Sequence, residues 1–165
     1  MLGADICWED GRIYVEGTGG NLTAPDEPVD IGDSGTTMRF LTSLCLLCDG
    51  PVLLTGSDRM QHRPIKPLVD ALNQIGGRIT YGRETGYPPL LIDGSFHGGR
   101  VCIDAAISSQ YISSLLLTAP YGKQDLVLDL ISDPVSAPYI DVTRSVMESF
   151  GVFTSEKKTG RIKEI

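Results

Sequence analysis

Residues 34–41 read Ser-Gly-Thr-Thr-Met-Arg-Phe-Leu, a run of small polar residues that passes directly into an apolar segment ending near Cys48. This pattern predicts a helix N-terminus, because a serine or threonine hydroxyl can accept a hydrogen bond from an unpaired amide of the first turn. A strand is predicted at residues 52–54, and a second helix is predicted to start near Pro64. Its apolar residues recur at helical spacing, at positions 65, 68, 72 and 75.

The same order of elements returns 74 or 75 residues further along the chain. Residues 108–112 lead into an apolar helix, residues 126–128 form a strand, and Pro138 opens another helix. One face of that last helix is expected to carry Ile140, Thr143, Met147 and Phe150, and residues 152–154 are expected to form a strand. A pattern that returns at a fixed spacing indicates an internal repeat. Helices alternating with short strands predict an α/β domain with helices packed on sheet faces.

Length and composition limit the classes of function. The chain has 165 residues, which fits a single domain, and a formal net charge of −7. This acidic balance argues against nucleic acid or an anionic membrane as a partner. No apolar run approaches the roughly 18 residues that a membrane span needs, and four cysteines do not make a disulfide scaffold. We therefore expect a cytoplasmic protein.

Four loops are candidates for binding a small anion. Two of them, residues 32–37 and 108–110, stand before helices at equivalent points of the repeat, where backbone amides and the helix dipole favour negative charge. The loop at residues 59–64 supplies Arg63, and residues 136–139 place Ser136 and Tyr139 at a helix start. Each loop also has a purely structural explanation, as a helix cap, a solvated charge or a half-buried tyrosine. Cys45 and Cys48 have a spacing seen in metal sites, but no second pair completes one, and we predict no metal.

Taken together, the loops resemble the 5-enolpyruvylshikimate-3-phosphate synthase family, whose members glyphosate inhibits. The resemblance runs from about residue 2 to residue 151, and ordered motifs carry it, at residues 33–39, 54–65, 87–90, 108–111 and 136–141. It implies a two-domain protein in which each domain, an inside-out α/β barrel, repeats a small βαβαββ-type unit three times. It also implies transfer of the enolpyruvyl group of phosphoenolpyruvate to the 5-hydroxyl of shikimate 3-phosphate, with no metal or organic cofactor.

The resemblance assigns expected roles to individual residues. Residues expected to face shikimate 3-phosphate are Ser108, Ser109, Gln110, Ser136 and Tyr139, and those expected near phosphoenolpyruvate are Asp33, Gly35, Thr36, Arg63 and Gln110. Asp33 stands where the family usually has Asn, and a carboxylate there should weaken phosphoenolpyruvate binding unless it caps the helix or pairs with a cation. Phe40 departs from the usual Pro or Leu.

The resemblance also implies that residues 1–165 are one partial domain, the shikimate 3-phosphate-binding domain. The family's early Lys-Ser segment and its second domain, with the acid–base groups, have no counterpart in this sequence, so we expect no catalytic residue here and the missing part of the synthase as a partner. Two alternatives stay open. One is a relative acting on UDP-N-acetylglucosamine, and the other is a non-catalytic repeat or interaction domain.

Overall fold

A computed structural model describes residues 2–159 and 162–164 of the chain. It opens with a hairpin of two antiparallel strands, β1 (Asp5–Glu9) and β2 (Arg12–Glu16), which form a two-stranded sheet of their own. Several apolar side chains of the hairpin are exposed, among them Ile6, Trp8 and Val15. No helix in the described residues is long and apolar enough to cross a membrane.

Two copies of one βαβαββ unit follow the hairpin. The first consists of β3 (Val29–Asp30), α1 (Gly35–Leu44), β4 (Val52–Thr55), α2 (Lys66–Gln74), β5 (Gly77–Tyr81) and β6 (Leu90–Gly94). The second consists of β7 (Gly99–Ile103), α3 (Ser109–Thr118), β8 (Leu126–Leu130), α4 (Ala137–Ser149), β9 (Lys157–Thr159) and β10 (Ile162–Glu164).

Both units have the same sheet topology. The strand orders are β3-β4-β6-β5 and β7-β8-β10-β9, so the two orders match element for element. In each unit the first two strands are parallel, joined by a helical crossover, and the other pairs are antiparallel. The predicted α/β fold of repeated units is confirmed.

The two units meet through α1 and α3, whose contact is partly polar. The buried hydroxyls of Ser43 and Ser114 lie 2.6 Å apart, and Ser114 Oγ donates to the carbonyl oxygen of Arg39 at 2.6 Å. Small side chains let the two helices approach closely, and the hydrogen bonds satisfy the polar atoms that the contact buries. The N-terminal turns of α1 and α3 are thereby held side by side.

The second helix of the first unit begins two residues later than Pro64 suggests. Helix α2 starts at Lys66, with Pro67 in its first turn. Pro64 lies outside the helix, and its carbonyl oxygen accepts a hydrogen bond from the Tyr111 hydroxyl at 2.8 Å. The predicted apolar face is confirmed, since the side chains at positions 65, 68, 72 and 75 are all buried.

The expected face of α4 is buried at Ile140 and Met147 but not at Phe150, which follows the last helical residue and is 84% exposed. Ile75, the equivalent residue of the first unit, is 4% exposed and belongs to the apolar core, and the segment after β6 runs beside it, with His97 N donating to Ile75 O at 2.8 Å. No described residue covers Phe150 in this way. Residues 152–154 also form irregular chain rather than the expected strand, and Thr154 accepts a hydrogen bond from Arg144 Nε at 2.8 Å.

Candidate functional site

Three helices begin at the rim of one cleft of about 650 Å³, a volume in the range of small-molecule sites. The helices are α1, α3 and α4, and each contributes polar groups from its first turn or from the residue before it. The polar residues of the rim are Thr36, Ser108, Ser109, Gln110, Ser136 and Tyr139. The structure thus brings together all five residues expected to face shikimate 3-phosphate. The rest of the lining is mainly apolar and includes Phe40, Leu117 and Val146, together with the hydroxyls of Ser113 and Thr143.

Hydroxyl caps and the absence of acidic residues leave these helix N-termini suited to an external anion. Ser34 Oγ accepts from Thr37 N at 3.3 Å, and Ser108 Oγ accepts from Gln110 N at 3.2 Å. None of the three helices has an acidic residue in its first turn. Because no carboxylate lies in these first turns, the positive ends of the helix dipoles favour a ligand anion, although Asp33 stands directly before the cap of α1.

Ser136 has an unusual backbone conformation at the start of α4. Its φ of 58° and ψ of 48° lie in the left-handed region, which costs a non-glycine residue about 1–2 kcal/mol. Its hydroxyl does not cap the helix. Ser109 and Tyr139 also line the cleft, and their hydroxyls make no hydrogen bond within the described residues. Three hydroxyls of the cleft are therefore available to a ligand.

Gln110 links the first turns of α1 and α3 through both ends of its side-chain amide. Its Oε1 accepts from Arg39 Nη1 at 2.8 Å, and its Nε2 donates to Thr36 Oγ1 at 2.9 Å. Arg39 Nη1 also donates to Gly35 O at 3.2 Å, and its guanidinium lies 5.6 Å from the centroid of the Tyr111 ring. Burial raises the pKa of the Tyr111 phenol, whose hydroxyl is bonded to a backbone carbonyl.

Two arginine side chains converge on Gly35, the first residue of α1. A Cβ atom built on Gly35 would lie 2.7 Å from Arg63 Nη1 and 2.8 Å from Arg39 Nη1. Gly35 therefore leaves room for two guanidinium groups beside a helix N-terminus, a strongly anion-binding arrangement. The sequence pattern predicts a binding role for Arg63 but not for Arg39. The signal for Arg39 is its position four residues after Gly35, one helical turn along the same face.

Asp33 does not cap α1 and has no ion pair among the described residues. Ser34 is the cap, and Asp33 Oδ1 instead accepts a hydrogen bond from Ser57 Oγ at 2.5 Å. Ser57 lies on the loop that leads to Arg63, so this hydrogen bond joins two of the loops singled out in the sequence. A hydroxyl therefore stabilises this carboxylate, and no cation in the described part of the chain neutralises its negative charge.

The cysteine pair lies at the far end of α1, in a short 3₁₀ turn. A hydrogen bond between the two thiols raises the pKa of Cys45 and lowers that of Cys48. Within residues 2–159 and 162–164, no three His, Cys, Asp or Glu side chains are grouped closely enough to hold a metal ion.

Comparison with known proteins identifies the family. The model of the EPSP synthase (3-phosphoshikimate 1-carboxyvinyltransferase) family matches residues 1–165. A 3-phosphoshikimate 1-carboxyvinyltransferase of Methanospirillum hungatei is 53% identical over 92% of this chain and 35% of the relative's length. A second, from Methanoculleus marisnigri, is 45% identical over 98% of this chain and 39% of its own length.

A solved structure supports the fold. EPSP synthase from Acinetobacter baumannii superposes with a TM-score of 0.78 at 23% identity, covering 99% of this chain and 36% of that protein. The chain thus spans between a third and two fifths of the length of the relatives that it matches. The chain belongs to the EPSP synthase (3-phosphoshikimate 1-carboxyvinyltransferase) family.

Proposed function

We propose that residues 1–165 form part of the shikimate 3-phosphate-binding domain of an enzyme that transfers the enolpyruvyl group of phosphoenolpyruvate to shikimate 3-phosphate. The observation that carries this proposal is the cleft at which three helix N-termini, with no acidic residue in their first turns, meet a set of hydroxyls and one amide. A phosphorylated polyol needs such donors for its phosphate and its ring hydroxyls.

Binding of shikimate 3-phosphate is assigned to Ser108, Ser109, Gln110, Ser136 and Tyr139. Their hydroxyl and amide groups suit a ligand that carries both a phosphate and alcohols. The described residues that line the cleft include no carboxylate, lysine or histidine. A group that moves a proton must stand within hydrogen-bond reach of it, so we assign the proton transfers to parts of the enzyme outside this chain, which would be its partner.

Binding of phosphoenolpyruvate is assigned to Gly35, Thr36 and Arg63, with Gln110 between the two substrates. Phosphoenolpyruvate carries a phosphate and a carboxylate, and the guanidinium of Arg63 can bind either group through two parallel hydrogen bonds. The positive end of α1 would add to this attraction. Asp33 belongs to the same loop and faces Ser57.

Titration of the 165-residue chain with shikimate 3-phosphate, followed by amide NMR, tests the proposal. We expect millimolar-scale binding, because each charged hydrogen bond that the rest of the enzyme would supply is worth about 1.5–3 kcal/mol. Resonances of residues 108–111 and 136–139 should shift, and unphosphorylated shikimate should bind more weakly. Ser109→Ala should reduce the preference for the phosphorylated ligand while the fold stays intact. UDP-N-acetylglucosamine serves as the control, and the absence of shifts at saturating shikimate 3-phosphate would refute the site assignment.

Arg63→Lys tests the second substrate. Lysine keeps the positive charge but loses the planar fork, so we expect phosphoenolpyruvate affinity to fall about tenfold, the size of one charge-assisted hydrogen bond. The affinity for shikimate 3-phosphate should change little. Both affinities would be measured in a full-length enzyme carrying this segment, and Arg83→Lys is the matched control because Arg83 bonds to Gln61 and, unlike Arg63, is not one of the guanidinium groups beside Gly35. An unchanged affinity in Arg63→Lys would remove Arg63 from the site.

A further inference from the structure

Two loops precede the residues assigned to shikimate 3-phosphate, and a carboxylate that does not line the cleft joins these loops. Asp104 follows β7 on the loop to α3, and Ser132 follows β8 on the loop to α4. The Ser132 hydroxyl donates a hydrogen bond to Asp104 Oδ1. The amide of Ala106 is shared between Asp104 Oδ1 at 3.0 Å and Ser132 Oγ at 2.9 Å. These three groups form a closed triangle that spans the two loops.

Backbone hydrogen bonds continue the connection from this triangle toward the cleft. Ile131 N donates to Ile103 O at 3.2 Å, and Val135 N donates to Ala105 O at 3.1 Å. Val135 directly precedes Ser136, the residue held in the left-handed conformation. These two backbone hydrogen bonds and the Asp104–Ser132 hydrogen bond together hold Ser136 at a fixed distance from the start of α3.

The first unit contains an equivalent aspartate–serine connection between its own two loops. Asp33 on the loop before α1 accepts from Ser57 on the loop before α2, and Ser57 N donates to Gly32 O at 3.0 Å. Ser57 and Ser132 stand 75 residues apart, the spacing of the repeat. Both units thus use a serine hydroxyl on the second loop and a carboxylate on the first, although the two aspartates occupy different positions in their loops.

We propose that Asp104, acting through Ser132, is a positioning residue that fixes the separation between Ser108–Gln110 and Ser136–Tyr139. Asp104 does not line the cleft, so its effect on a ligand passes through the loops that it joins. The hydrogen bond from Ser132 lowers the pKa of the Asp104 carboxyl most, and the hydrogen bond from the Ala106 amide lowers it further. Asp104 is therefore a carboxylate at neutral pH, the form that accepts both hydrogen bonds. This inference rests on the proposed function only for the identity of the ligand.

The first experiment measures loop positions without ligand. In Asp104→Ala and in Ser132→Ala, we expect amide NMR shifts both at residues 106–110 and at residues 133–139, and faster hydrogen exchange at Val135. The double variant should add little, because the two residues act through one shared set of hydrogen bonds with each other and with the Ala106 amide. Asp104→Asn keeps an oxygen acceptor and Ser132→Thr keeps a hydroxyl donor. The spectra of these two variants should therefore stay close to that of the unaltered chain. Shifts in Asp104→Ala confined to residues 103–107 would overturn the proposal.

Asp93→Ala provides the matched control for the loss of a carboxylate. Asp93 lies near the end of β6 and accepts from Gly94 N at 2.7 Å and from Arg78 Nη2 at 2.8 Å, but it does not line the cleft or touch either loop. This variant should leave the resonances of residues 106–110 and 133–139 unchanged. The same shifts in Asp93→Ala as in Asp104→Ala would show general loosening and would also overturn the proposal.

The second experiment measures shikimate 3-phosphate binding in the same variants. If loss of the connection leaves roughly a tenth of the molecules with correctly placed loops, the apparent Kd rises about tenfold. Asp104→Ala and Ser132→Ala should show this increase, and Asp104→Asn and Asp93→Ala should not. If the unaltered chain fails to bind shikimate 3-phosphate, the proposed function fails, while the ligand-free spectra still decide whether Asp104 positions the two loops.

Discussion

Gly35→Ala is expected to lower phosphoenolpyruvate affinity by one to two orders of magnitude without destabilising the fold. The new methyl group would stand 2.7 Å from Arg63 Nη1 and 2.8 Å from Arg39 Nη1, closer than non-bonded atoms allow. Both contacts involve the ends of flexible side chains, so the guanidinium groups would move rather than the backbone. One charge-assisted hydrogen bond of about 1.5–3 kcal/mol, that of Arg63, would then be displaced from the assigned site, which corresponds to one to two orders of magnitude in affinity.

The free energy of unfolding of Gly35→Ala should rise slightly, although its affinity for phosphoenolpyruvate falls. Gly35 is the first residue of α1, so we expect alanine there to stabilise the helix by less than the roughly 1 kcal/mol by which it is favoured over glycine in a helix interior. Isothermal titration of phosphoenolpyruvate in a full-length enzyme carrying this segment, together with thermal unfolding, would measure both effects. Gly17→Ala is the control, because a Cβ there meets no atom within 4 Å. A stable Gly35→Ala variant with normal affinity would contradict the arginine assignment.

Ile75→Ala should destabilise the chain by about 2–5 kcal/mol, as large-to-small changes in a packed core do. Ile75 is 4% exposed at the C-terminal end of α2, where it packs within the main apolar core. Urea unfolding followed by far-ultraviolet circular dichroism would measure the loss as a lower midpoint at unchanged slope.

Phe150→Ala is the control for this substitution, because Phe150 occupies the equivalent C-terminal position of α4. Its side chain is 84% exposed, so truncation leaves no cavity and should change the free energy of unfolding by at most about 0.5 kcal/mol. An equal loss in the free energy of unfolding in Ile75→Ala and Phe150→Ala would contradict the finding that Ile75 is buried and Phe150 is exposed.

Periodicity and turn residues predicted the helices and the strands β4 and β8, but not elements whose partners lie far away in the sequence. The strand β3 has two residues, and it is a strand only because it pairs in parallel with β4 across a helical crossover. The strand β7 likewise pairs with β8, about 27 residues later. Phe150 has the right spacing for a buried face, yet burial depends on a covering segment that helical periodicity does not reveal.

The candidate site was predictable where small polar residues precede a helix, because that pattern has a local physical cause. Ser108, Ser109 and Gln110 were found in this way, and their equivalence to residues 34–37 suggested a shared surface. Arg39 and Asp104 were missed because their significance is tertiary. Arg39 matters through Gln110, which is 71 residues away, and Asp104 through Ser132, which is 28 residues away.

The exposed N-terminal hairpin determines which spectroscopic probe can follow unfolding. The chain has one tryptophan, Trp8, which is 70% exposed on β1 and pairs across the hairpin with Ile13. Its indole is already in contact with water in the folded chain, so fluorescence emission should change little when the two repeat units unfold. If the hairpin opened by itself, the fluorescence emission of Trp8 would change while the apolar core of the repeat units stayed folded. Tryptophan fluorescence and circular dichroism are therefore expected to give different transitions, and only the second reports the stability of the repeat units.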